Sequence, residues 1–285
     1  MRDKLKTLLA RLRFDGMAAA LDAELERAER EATPAPELVY RLISAEAASQ
    51  RQKSLAYRIS QARLPWDWTL ETFPFDAQPS INRGQIKALA GLDFLSRASN
   101  IVLTGETGTG KTGIAIGILR EACLNGHRGR FYDAQDLLDE LYASLADRST
   151  ARLLKRLSRL QPLLIDKVDN LNIKPEQANA FFRLIDQRYN RVSTIITTSL
   201  ALDDWYELFQ KKHLVDALLD RLRHRCITIS IDGPSLRSPE PHAAALPEQK
   251  QLVSPDAAAE PSRRSRAGAR GDARMTRTNL RTRPE

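Results

Sequence analysis

The chain has 285 residues and only two cysteines, Cys123 and Cys226. Two are too few for a disulfide framework, and neither has metal-ligand spacing, so both are expected to be buried apolar fillers. The four histidines (His127, His213, His224, His242) are scattered and form no metal pattern. No apolar run approaches the roughly 18 residues of a membrane span. The opening stretch MRDKLKTLLARLRFDG is charged throughout and lacks the apolar core of a secretory signal. These absences lead to the expectation of a soluble, cytoplasmic protein with no membrane partner. No internal repeat is present, which argues against a solenoid. Excess charge is also scarce outside one end. Net charge is +8, but the last 25 residues hold eight arginines against Asp272 and Glu285, which is +6 of the total. The body is nearly neutral, so global charge is weak support for a nucleic-acid partner.

What is present is a 42% hydrophobic chain long enough for one large domain or two small ones. Residues 1–64 read as helical. Leu5, Leu8, Leu9 and Leu12 stand at helical spacing, the run DGMAAALDAELERAERE follows, and Thr33 and Pro34 then mark the entry to a long third helix. In that helix Leu38, Leu42, Ile43, Leu55 and Ile59 form a partial apolar stripe. Arg51, Lys53, Arg58 and Arg63 form a basic side, which is either a solvated face or a DNA-facing surface. Residues 65–80, PWDWTLETFPFDAQPS, break the pattern with prolines and aromatics. They read as a linker packed on a domain surface, or as aromatics flanking a nucleotide base. From 81 to 237 strands alternate with helices, the signature of an α/β fold with a parallel sheet flanked by helices. The strands are NIVLT, GRFYD, PLLID, STIITTS and CITISI. Residues 238–285, rich in Pro, Ala, Ser and Arg, read as a disordered basic tail.

The stretch GETGTGKT comprises Gly105, Glu106, Thr107, Gly108, Thr109, Gly110, Lys111 and Thr112, and fits G-x-x-x-x-G-K-[ST]. It follows an apolar strand and opens an apolar helix, as a phosphate-binding loop requires. Glycines let the backbone wrap a phosphate with its N–H groups inward, and the helix N-terminus adds partial positive charge. Lys111 is expected to reach the β- and γ-phosphates of ATP, and the Thr112 hydroxyl to bind Mg²⁺. The strand PLLID ends in Asp166, the second expected Mg²⁺ ligand.

With these residues in view, the sequence resembles the IstB-like helper ATPases of bacterial insertion sequences. These are AAA+ proteins related to the DnaC helicase loader and the DnaA initiator. The resemblance covers about residues 1–237. It is carried by FPFDAQPSINRGQI, NIVLTGETGTGKTGIAIGI, PLLIDKVDNLNIKPEQANAFFRLIDQRYNRVSTIITTSL and LVDALLDRLRHRCITISIDGPSLR. It implies a P-loop AAA+ fold behind a helical N-terminal domain that binds DNA or a partner. It also implies a homo-oligomer that assembles on double-stranded DNA and serves the transposase of the same element. By the same resemblance Arg221 is an arginine finger for a neighbouring subunit's nucleotide, and Arg237 is a sensor-2-type arginine near the γ-phosphate. A DnaC-like helicase loader, and a non-hydrolysing nucleotide-switched DNA scaffold or decayed copy, are the alternatives.

Three positions depart from the family pattern. Lys167 stands where an acid, often Glu, follows the metal aspartate; an ammonium cannot activate water. Ser199 replaces a sensor Asn. Gly113 replaces a larger residue after the Lys-Thr pair, at a local helix cost of about 1 kcal/mol against Ala. Asp169, two residues beyond Lys167, is the nearest other carboxylate in sequence. The departures fall on water positioning and spare the phosphate cradle, so the expectation is ATP·Mg²⁺ binding with slow or absent hydrolysis.

Overall fold

Three helices open the chain: α1 (Arg2–Arg11), α2 (Asp15–Glu31) and α3 (Ala35–Ala62). The computed structural model describes residues 1–169, 171, 173–209 and 212–237. The expected basic tail, 238–285, lies outside the described residues. Gly16 lets α2 and α3 approach closely, since a Cβ there would lie 2.6 Å from that of Ser49. The Met17 N–H donates to Glu46 across the same contact, at 3.0 Å. Leu9, Leu21 and Leu42 form a small core between the three helices. The leucine face of α1 is only partly inward. Leu9 is buried while Leu5, Leu8 and Leu12 are exposed, because α1 packs mainly on α2 and one neighbour covers a narrow stripe. On α3, Leu42 is buried and Ile43 is exposed.

Residues 82–98 form two short helices, α4 (Arg83–Ala90) and α5 (Asp93–Ser96), separated where Leu92 turns left-handed at φ 65°. Asn82 starts α4 by accepting the Gln85 N–H at 3.1 Å. The elements then run β1 (Asn100–Thr104), α6 (Lys111–Leu124), β2 (Arg130–Asp133), α7 (Ala134–Ala146), α8 (Thr150–Leu157), β3 (Leu163–Asp166), α9 (Pro175–Arg188), β4 (Thr194–Thr198), α10 (Trp205–Leu208), α11 (Lys212–Arg223) and β5 (Cys226–Ser230).

The strands form one sheet in the order β2-β3-β4-β1-β5, every pair parallel. Alternation along each strand sends side chains to opposite faces. Ile101 and Leu103 of β1 pack with α6 residues such as Ile114 and Ile118. Val102, Ile165 and Ile196 pack with α7, α9 and α11 through Leu138, Leu184 and Leu219. Cys123 is buried in the first layer, and Cys226 is partly buried beside the second.

Arg188 is an unusual member of this core, only 1% exposed. Its guanidinium donates to the carbonyls of Leu157 at 2.6 Å and Leu160 at 2.9 Å, to the Ser193 carbonyl, and to the Thr194 hydroxyl at 2.9 Å. Burial pushes its pKa down to about 9, which still leaves a cation at neutral pH. One side chain thus ties the end of α8, the approach to β3 and the entrance to β4.

Candidate nucleotide-binding site

The loop between β1 and α6 carries Gly105 to Gly110. Gly108 and Gly110 hold φ of 92° and 97°, a region that strains residues with a Cβ. Both are also crowded: a Cβ would lie 2.1 Å from the Ser235 hydroxyl at Gly108 and 2.7 Å from the Phe73 ring at Gly110. Two segments remote in sequence therefore clamp the loop. The Leu236 N–H donates to the Gly108 carbonyl at 2.9 Å, and buried Gln78 donates to the Pro234 carbonyl. Glu106 and Thr107 are exposed at the tip, and Thr109 is buried, its hydroxyl donating to the Glu106 carbonyl at 2.9 Å. The Lys111 ammonium donates to the carbonyls of Gly105 and Glu106, at 2.6 and 2.7 Å. Burial lowers its pKa, the carboxylates of Asp169 and Asp166 raise it, and Arg237 lowers it.

A cavity of about 490 Å³ opens beside the loop. Lys111, Thr112 and Arg237 line its polar side, and Trp66, Trp68 and Phe73 its apolar side. Residues 65–80 both pack on α6 and line the cavity. Leu70 packs against Gly117 of α6, close enough that a Cβ there would lie 2.6 Å from it, and the aromatics face the cavity. Gly113 has room for a methyl group, which would meet Phe73 at 3.4 Å.

Asp166 ends β3, with β4 lying between it and β1. Its Oδ1 accepts from the Thr112 hydroxyl at 2.8 Å and from the Thr197 hydroxyl at 2.5 Å. Its Oδ2 is buried and has no hydrogen-bond partner among the described residues. Burial pushes its pKa up, and the two hydroxyls pull it down. Thr197 was not singled out from sequence; its signal is a hydroxyl near the carboxyl end of a strand that sheet order alone makes a neighbour.

Lys167 leaves this cluster. Its φ of 61° is left-handed. Its N–H donates to the Thr197 hydroxyl at 2.9 Å, and its ammonium pairs with Asp133 at 3.2 Å. Asp169 instead turns toward the loop, where its charge acts on Lys111. Ser199 holds one of its oxygens through its N–H at 2.9 Å and through its hydroxyl. The other oxygen, Oδ1, is buried without a partner among the described residues.

The two arginines lie apart. Arg237 lines the cavity with Lys111. Arg221, on α11, pairs with Asp186 of α9 at 2.8 Å, beside a separate surface depression that includes Phe182 and Leu214.

Residues 7–244 match the family model described as IstB-like ATP binding protein. The chain belongs to this family. Among similar IstB-like relatives is the IS21 insertion-sequence ATP-binding protein of Pseudomonas aeruginosa, 35% identical over 85% of this chain and 92% of that one. Another is the IS5376 counterpart of Geobacillus stearothermophilus, 32% identical over 88% of this chain and 99% of that one. In structure, the IstB-like core resembles the DnaC helicase loader, with a TM-score of 0.51 and 24% identity over 60% of this chain and 99% of that one. That likeness shows the fold alone, a parallel sheet flanked by helices with a glycine-rich loop after β1.

Proposed function

We propose that this chain is the ATP-binding helper of a DNA transposition system. In this reading it binds ATP·Mg²⁺ in the cytoplasm, assembles as a homo-oligomer on double-stranded DNA and serves the transposase of its element. The observation that carries it is the convergence of Lys111, Thr112 and Arg237 at one aromatic-walled cavity, with Asp166 held behind them by the Thr112 hydroxyl, in a family defined by ATP binding and insertion-sequence relatives. The Lys111 ammonium would exchange its loop carbonyls for phosphate oxygens, and the loop N–H groups would surround them. Arg237 would add a second cation on the phosphate side.

The residues also fit a divalent cation. Asp166 has a buried oxygen with no hydrogen-bond partner among the described residues, and the Thr112 hydroxyl stands against its other oxygen. Among the described residues there is no cluster of three or more Cys, His, Asp or Glu to hold a metal. Two protein oxygens completed by phosphates is the arrangement Mg²⁺ favours. When bound, the ion neutralises charge on the phosphate oxygens.

Hydrolysis is slow in this reading, because the ammonium at position 167 is engaged by Asp133 and offers water no base. The test is the Lys111→Ala variant. A fluorescent ATP analogue should bind the natural chain and bind the variant at least about 100-fold more weakly, and assembly on duplex DNA should require ATP and fail in the variant. Equal binding by both chains would sink the proposal.

A further inference from the structure

A second cleft, also about 490 Å³, lies away from the phosphate loop, between the C-terminal part of α3 and the α8 region. Its walls are strongly basic. Arg152, Lys155, Arg156 and Arg159 are spaced i, i+3, i+4 and i+7, so they share one side of α8 and its exit turn. The opposite side of α8 is apolar, with Leu153, Leu154 and Leu157 buried in the core. This explains the helix but not why every outward cation meets further cations from elsewhere. Arg128 and Arg130 enter the cleft from the approach to β2, and Arg58 enters from α3.

Little in the cleft neutralises these charges. Arg156 pairs with Glu140, and Asp147 acts on Arg152 from the helix start. Arg58 is fixed by the Cys123 carbonyl at 2.9 Å and by Ser54, and Arg130 lies over the Tyr132 ring with its Nε buried and without a hydrogen-bond partner among the described residues. Arg128, Lys155 and Arg159 have no ion pair among the described residues. A low-dielectric cleft lined by one sign of charge concentrates potential and attracts a polyanion. The four α8-side cations span a rise of about 10 Å, roughly three nucleotides of one strand. A single phosphate would not use that length.

We infer that this cleft holds the phosphodiester backbone of duplex DNA. The inference rests on the reading of the chain as a DNA-assembling helper, and it moves the contact from the basic side of α3 alone to a surface shared by α3, β2 and α8. The cleft is separate from the nucleotide cavity. Arg58 is anchored on the last turn of α6, the helix whose first residue is Lys111, about 20 Å away along its axis.

The test uses the full chain carrying Arg128→Gln, Arg152→Gln, Lys155→Gln and Arg159→Gln together. These side chains are exposed and donate no structural hydrogen bond, so folding should persist. Affinity for duplex DNA should fall about 100-fold at physiological salt, and the slope of log affinity against log salt should become shallower by about 3 to 4. ATP-analogue binding should be unchanged. A charge-matched control, with Arg263, Arg264, Arg266 and Arg270 each changed to Gln, should keep most of the affinity. Equal losses in variant and control would overturn the cleft, as would loss of single-strand binding with duplex binding intact. If the natural chain binds no DNA in any nucleotide state, the functional reading itself fails; if it binds and the cleft variant binds equally well, only the cleft assignment fails.

Discussion

At the level of single residues, the exchange of an acid for Lys167 is answered by its neighbours. Asp133 receives the ammonium, and the Asp169 carboxylate lies close enough for its charge to act on Lys111. Asp169 is held by Ser199, itself a departure from the expected sensor. Restoring a carboxylate at 167 would set it against Asp133, so the informative variant changes both. Lys167→Glu with Asp133→Asn should raise ATP turnover at least about tenfold over the natural chain, by phosphate release, with ATP-analogue affinity unchanged. Equal turnover would show that position 167 does not limit hydrolysis. Any residual turnover of the natural chain should draw on the free oxygen of Asp169 and fall to background in Asp169→Asn. The ion pair itself is half-exposed and is worth at most about 1 kcal/mol, so global stability should move little.

At the level of elements, two contacts hold the site together without touching a phosphate. Residues 65–80 clamp the loop through Phe73 and Gln78. Arg188 joins α8, the approach to β3 and the start of β4, and so fixes the strands that present Asp166 and Thr197. Replacing it by Ala would leave buried carbonyls without donors and open a cavity. Arg188→Ala should therefore cost on the order of 3 kcal/mol or more, read from urea unfolding. A loss under 1 kcal/mol would mean that the carbonyls find other donors. Its lowered pKa is an opposing cost, because burial disfavours the charged guanidinium and the hydrogen bonds must outweigh that penalty. Between the folded value, about 9, and its higher unfolded value, the unfolded chain binds more protons, so the Arg188 contribution to stability rises with pH.

For the whole molecule, Arg221 is the residue whose proposed role needs a neighbour. Within the chain it sits in an exposed ion pair with Asp186, away from its own nucleotide cavity. Arg221→Ala should leave ATP-analogue binding to the isolated chain unchanged and abolish ATP-dependent assembly on DNA, as followed by light scattering. Asp186→Ala removes the same ion pair but spares the arginine, and should still assemble. Loss of assembly in both variants would indicate a structural role for the pair.

The linear order of residues determined a good deal of this protein. Strand-helix alternation specified a parallel sheet, because each element's period of burial is written locally. The spacing of Gly105, Gly108, Gly110, Lys111 and Thr112 specified a phosphate loop, since that loop is built from consecutive residues. The family was legible in the same way, and so was the break at Lys167. Other features were decided only by the tertiary structure. Strand order put β4 between β1 and β3, which set Thr197 against Asp166. The leucine face of α1 stayed largely exposed because too little packs against it. Asp133, Phe73 and Ser235 reached the site from segments far away in sequence, and the basic cleft assembled from three elements. Such contacts depend on which surfaces are buried together, and no local period or spacing encodes that choice.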